Sequence, residues 1–352
     1  MTKKVTYIKL LHQLQKKMEE KKIEGKLPVK KEQFEILLSG VPAVLNHYSL
    51  LEIELGEKIN LENIRKHLND TFKVHDKNSA IRFINAFLNN NTQKKYELFL
   101  SFWQDKPQLN IDELGEEERS VFEIYMGFAK QFYPFLKEKG FAAFDYGESV
   151  RLARECYATG ILDYDTVQIM LNDIGTRAFR TFDSWEEYAI SYLCGGCFFI
   201  FQSTKMNNSE ASNMFQTVLH AIEELFFKSK SDVWNRYSWL EGKKYFPSIK
   251  ETRKLTENKL GCFVTDRISI NEEKIGYMVR EEPSKDNPDS GWRFFAGDES
   301  KEYIEDLNNT QVFSLNTVCN YDADIIPFLE EPVGTIIMRN QEGKLCKVKE
   351  KK

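Results

Sequence analysis

A chain of 352 residues with 41% hydrophobic and 13% aromatic side chains is too long for one typical core and too apolar to be disordered, so two or more folded domains are expected. No run approaches the roughly 18 apolar residues of a membrane span, and the N-terminus MTKKVTYIKLLHQLQKKMEE is charged where a secretory signal needs an apolar core. The net charge of −5 hides an asymmetry: residues 261–340 hold 7 Lys/Arg against 16 Asp/Glu, residues 341–352 hold five Lys against two Glu, and the remainder is +1.

Acidity concentrated in one segment argues against a phosphate backbone as partner and suits a basic protein. Six scattered cysteines do not read as a disulfide framework. A bacterial-type reducing cytoplasm is the expected location, with neither membrane nor nucleic acid as partner.

In chain order, residues 4–24 read as an amphipathic helix, with Val5, Ile8, Leu11 and Leu14 at helical spacing and Gly25 and Pro28 as the stop. Leu61 to Phe72 forms another helix, capped by Asn60. Asn78 to Leu88, Tyr96 to Trp103 and Glu116 to Leu136 follow, the last interrupted near its end by Pro134. From 141 to 230 the pattern is that of an antiparallel bundle. Tyr146, Val150, Ala153 and Tyr157 form one stripe, closed by Gly160. Asp163 caps a helix carrying Val167, Met170, Leu171, Ile174 and Ala178. Ser184 and Glu187 form a capping box ahead of Trp185, Ala189 and Tyr192. A fourth helix from about Ser209 carries Phe215, Val218, Leu219, Ile222 and Phe226.

Residues 241–260 read as a linker, although Tyr245 and Phe246 continue an aromatic stretch that begins at Trp234. From Gly261 the period changes to two. Strands are expected at Cys262–Thr265, Lys274–Arg280, Trp292–Phe295, Gln311–Ser314 and Thr335–Arg339, with one helix at Lys301–Asp306. Ile275, Tyr277 and Val279 share one face of their strand, while Trp292 and Phe294 alternate with Arg293 and Phe295. The fold class is therefore multidomain: an all-α helical region over 1–240, an α+β module over 261–340 and a basic tail over 341–352.

FDYGESVRLARECYATGILDYDTV with SWEEYAISYLCGG resembles an uncharacterised bacterial helical domain family, which implies a fold and no chemistry. GYMVREEP (276–283), DSGWRFFAGDE (289–299) and NTVCNYDADIIPFLEEPVG (316–334) resemble a family of predicted immunity proteins encoded near polymorphic bacterial toxins. The resemblance implies that this module binds and silences a toxin without catalysis.

No catalytic motif stands clear of a structural reading, and no cofactor is implied. Cys194-Gly-Gly-Cys197 lacks the further ligands a zinc site needs and runs into Phe198, Phe199, Ile200 and Phe201, so its thiols read as small buried hydrophobes. The histidines 12, 47, 67, 75 and 220 are dispersed, which leaves no expected metal site. The candidate partner-binding residues are Arg280, Glu281, Glu282, Trp292, Asp298, Glu299, Glu302, Tyr321, Asp322 and Asp324, as a face for a basic protein; the aromatics count only if exposed, and Trp292 suits the core better. The alternative is an enzyme or small-ligand sensor with a polar pocket inside the bundle. It would be lined by Asp145, Arg151, Arg154 and Glu187, with Asp145 or Glu187 as the counter-ion for a buried Arg154.

Overall fold

The computed structural model describes residues 7–90, 92–242, 253–258, 260–284 and 288–348. Residues 1–241 and 242–352 form two compact units. Tyr245 and Phe246, like most of the expected linker, lie outside the described residues.

The helical unit is built around the helix Trp185–Ser203, most of whose residues are buried. A helix apolar on all sides belongs in the middle of a bundle. It packs on Ala142–Ala158 and Asn208–Phe227. The two glycines between Cys194 and Cys197 permit that approach: a Cβ on Gly195 would lie 2.6 Å from the Cβ of Phe144. The expected N-cap side chains each accept from the first turn of their helix. Asn60 Oδ1 accepts from Asn63 N at 3.0 Å, Asp163 Oδ1 from Thr166 N at 2.8 Å and Ser184 Oγ from Glu187 N at 3.2 Å. The return half of the Ser184 box differs, because Glu187 accepts instead from Asp183 N. The expected helix 116–136 is two helices, Glu116–Lys130 and Tyr133–Leu136, divided just before Pro134, which has no N–H to continue the ladder. Trp234 stacks on Trp185 with centroids 5.4 Å apart and Trp239 meets the same ring edge-on, so the chain up to residue 241 belongs to this unit.

The second unit is a six-stranded mixed sheet: β1 (Gly261–Thr265), β2 (Tyr277–Arg280), β3 (Asp289–Phe295), β4 (Thr310–Ser314), β5 (Ile336–Arg339) and β6 (Leu345–Lys347). Its spatial order is β4-β1-β3-β2-β5-β6. Only β1 and β3 run parallel; the other neighbours are antiparallel. Residues 345–347 of the stretch expected as a basic tail form the edge strand β6, while residues 349–352 lie outside the described residues. Gly276 is fixed by close approach, because a Cβ there would lie 1.9 Å from the Ala296 carbonyl oxygen.

Alternate residues of the strands point to one buried face: Cys262 and Val264, Met278, Trp292 and Phe294, and Ile337. The helices Asp266–Ser269 and Leu315–Tyr321 and the 3-10 segment Ala323–Phe328 close over it with Ile268, Leu315, Val318 and Ile325. The helix Leu315–Tyr321 was not expected. Its N-cap, Ser314, accepts from Thr317 N. From it, Asn316 and Asn320 reach out to hold the backbone of Arg253 and Leu255, so the last part of the expected linker is fastened to this unit.

Candidate functional site

Among the described residues, the helices Asp266–Ser269 and Leu315–Tyr321 pack on the buried side of the sheet, and the opposite face keeps exposed apolar side chains. Strand pairing places two rows of side chains across it. Val312 (β4) lies beside Phe263 (β1), Phe263 beside Arg293 (β3), Arg293 beside Val279 (β2) and Val279 beside Ile336 (β5). The second row runs Phe295, Tyr277, Met338 and Cys346 from β3 to β6. Val312 is 53% exposed, Met338 48% and Phe263 39%. A water-facing sheet side normally alternates to polar residues; this one is apolar with one cation in the middle.

That cation is held on three sides. Arg293 donates to both Asp289 oxygens, at 2.9 and 2.8 Å, and to Glu281 at 3.0 Å. Its guanidinium lies 4.6 Å from the Phe263 ring centre. Arg293 holds the Asp289 carboxyl well below the usual carboxylate range. Glu281 remains largely exposed.

The ten residues singled out from the sequence divide sharply. Glu281, Glu282, Asp298, Glu302 and Asp324 are exposed. Trp292 and Asp322 are buried, so neither offers a surface to a partner. Trp292 fills the core under Leu329, to whose carbonyl its indole N–H donates at 3.0 Å. Asp322 accepts from Ile275 N and Lys274 Nζ, both at 3.1 Å, and from Arg339 at 2.6 Å. It therefore ties the start of the second strand's segment to β5. Arg280 is turned inward, donating to the carbonyls of Ser290, Leu329 and Glu331. Glu299 clamps a turn. Burial alone would raise its pKa, but hydrogen bonds from Thr265 Oγ1 and the Ala296 and Gly297 N–H groups bring it below the ordinary value. Tyr321 is half-buried against Phe313.

Sequence reasoning missed the open face itself. The signal was present in strands that are apolar at both parities: Cys262-Phe263-Val264, Phe294-Phe295 and Ile336-Ile337-Met338. Such runs need cover on both sides.

The polar pocket expected within the bundle is not assembled, and its four residues serve separate structural tasks. Asp145 accepts from Thr92 Oγ1 and N and from Gln93 N, capping the helix Thr92–Trp103. Arg151 lies between Glu148 and Glu155 at 2.8 and 2.7 Å. Arg154 is met by neither Asp145 nor Glu187. It donates to Ser39 Oγ and to the carbonyls of Ser49, Glu52, Ile53 and Glu54, at 2.7–3.3 Å. Burial lowers its pKa to about 10, so it stays charged at neutral pH. Glu187 pairs with Lys139 and borders a separate cleft of about 610 Å3, lined also by Met18, Leu136 and Ile190. Cys194 and Cys197 are buried; desolvation pushes the first thiol well above its ordinary pKa and the second up to about 12, so neither is a ready nucleophile. Among the described residues, no group of three or more His, Cys, Asp or Glu is placed to hold a metal ion. No described helix is long and apolar enough to cross a membrane.

Comparison with known proteins agrees with the two-part architecture. The model of the Immunity protein Imm33 domain matches residues 262–349, all of the sheet except the first residue of β1. The model of a Protein of unknown function (DUF1266) matches residues 67–239, within the helical unit. Neither a curated protein nor a solved structure matches the chain.

Proposed function

We propose that the C-terminal unit binds a protein toxin and neutralises it by contact, with no bond made or broken by this chain. The observation that carries this reading is the immunity-domain match over residues 262–349, which coincides with the compact sheet unit. The surplus of acid in residues 261–340 supports a basic partner, whose approach it would accelerate. The reading places the chain in the cytoplasm of a bacterial cell, where a toxin that has entered or been made there would be met. The helical unit carries the module.

The test is co-expression of the full chain with any toxin whose gene lies beside its own. Rescue of growth, together with co-purification of the two proteins, is expected. Failure of both with a toxin that kills the same cells in the absence of the chain would overturn the reading.

A further inference from the structure

We infer that the toxin docks on the open face of the sheet, over the two rows that cross it, and that the surface it presents there is an apolar ridge bordered by lysines and arginines. This rests on the immunity reading above and adds to it the place and the chemistry of the contact.

The first argument is area. Six strands at about 4.8 Å spacing and about 15 Å of paired length give a face on the order of 400 Å2. That footprint is the size of the largest apolar patch on a typical folded monomer, which is often functional. It amounts to roughly half of the ~800 Å2 that each partner contributes to a standard interface. The face therefore serves as the dry centre, and its surroundings supply the rim.

The second argument is charge. Every described cation of residues 261–340 is already engaged. Arg267 pairs with Glu273 and Asp298, Lys274 and Arg339 with Asp322, Arg293 with Asp289, and Lys301 with Glu305, while Arg280 is bound to carbonyls. Glu272, Glu282, Glu302, Asp306 and Glu330 have no ion pair among the described residues. The charge left for a partner is negative. A second copy of this chain, itself net negative, would find no complementary charge in these residues, whereas a basic protein would be drawn in.

The third argument is preorganisation. Arg293 is fixed by two carboxylates and the Phe263 ring, so contact with it costs little side-chain entropy. Buried arginines and aromatics dominate binding energy at interface centres. The exposed Glu281 carboxylate beside it can receive a cation from the partner.

Cys346 gives a readout that needs no substitution. It stands opposite Met338 on this face and is the one exposed cysteine of the six. The experiment uses the full chain and a catalytically inactive, tagged form of the adjacent toxin. Alkylation of Cys346 by iodoacetamide is followed with and without toxin, and Kd is measured for wild type, Met338→Lys and Ile169→Lys. Ile169 is 72% exposed on the helical unit and serves as the control.

Protection of Cys346 by at least about tenfold is expected. Met338→Lys is expected to weaken Kd roughly 30-fold or more, the loss of one hot-spot residue, with Ile169→Lys unchanged. A toxin that binds wild type and Met338→Lys equally and leaves Cys346 as reactive as in the free chain overturns the docking face while the immunity reading stands. A free chain that sediments as a dimer with Cys346 already protected assigns the face to a second copy and overturns the inference. A wild-type chain that does not bind the toxin removes the immunity reading and the docking face together.

Discussion

Replacing Arg154 with Met separates a structural role from a ligand-binding one. The side chain is 1% exposed and its five acceptors come from the segment 49–54 and from Ser39. Methionine keeps most of the volume and removes every donor. A hydrogen bond to a charged group contributes about 1.5–3 kcal/mol, but burying the guanidinium costs several kcal/mol in return. Leaving a buried acceptor without its donor costs about 1–3 kcal/mol, and here five acceptors lose theirs at once, partly offset by no longer burying the guanidinium. Urea unfolding followed by far-UV circular dichroism should show the helical unit losing about 3 kcal/mol or more, with the toxin contact unchanged at concentrations where the chain is folded. A loss below about 1 kcal/mol, or an intact fold with lost ligand or partner binding, would refute the structural assignment and revive a functional one.

Three further outcomes follow from the same geometry. Glu35 is 3% exposed and burial raises its pKa from 4.5 to about 7. The folded chain therefore holds this proton more tightly than the unfolded chain, and stability falls as pH rises from about 4.5 to about 7. Glu35→Gln should stabilise by about 3 kcal/mol at pH 8 and by almost nothing at pH 4, and equal gains at both values would contradict the assignment. Gly276→Ala forces a Cβ into the Ala296 carbonyl, so the β2–β3 pair must part. We expect a cost of at least about 2 kcal/mol, read as faster amide exchange in Tyr277–Arg280, and unchanged exchange there would be inconsistent with the close approach. Asp322→Asn leaves Arg339 and Lys274 without their buried partner. It should cost the sheet unit about 3–5 kcal/mol by the same exchange measurement, whereas a surface role for Asp322 predicts a change within about 0.5 kcal/mol.

Much of the fold was legible because it is local. The helix Leu61–Phe72 and its Asn60 cap, the Asp163 and Ser184 caps and the central strands depend on neighbours within a few residues. The helix Leu315–Tyr321 was obscured by Thr317, Val318 and three residues of Asn or Cys, whose propensities are poor for helix; a Ser314 cap and tertiary packing of Leu315, Val318 and Cys319 override them. The site was less legible. Counting carboxylates groups Asp322 with Asp324, two residues apart in the chain. Burial separates them, because Arg339 reaches both and only Asp322 is sealed beneath it. Likewise Arg154 reads as needing an acid, and its real partners are carbonyls about a hundred residues earlier in the chain. No spacing rule encodes contacts of that range.

The central claim is that this chain works by contact. The direct measurement is a titration of the adjacent toxin's activity with the purified full chain. Inhibition that rises linearly to completion at one chain per toxin, and reverses when the complex is dissociated, is the predicted result. Complete and lasting loss of toxin activity at a small fraction of an equivalent would contradict it, because only a chain that turns over could produce that outcome.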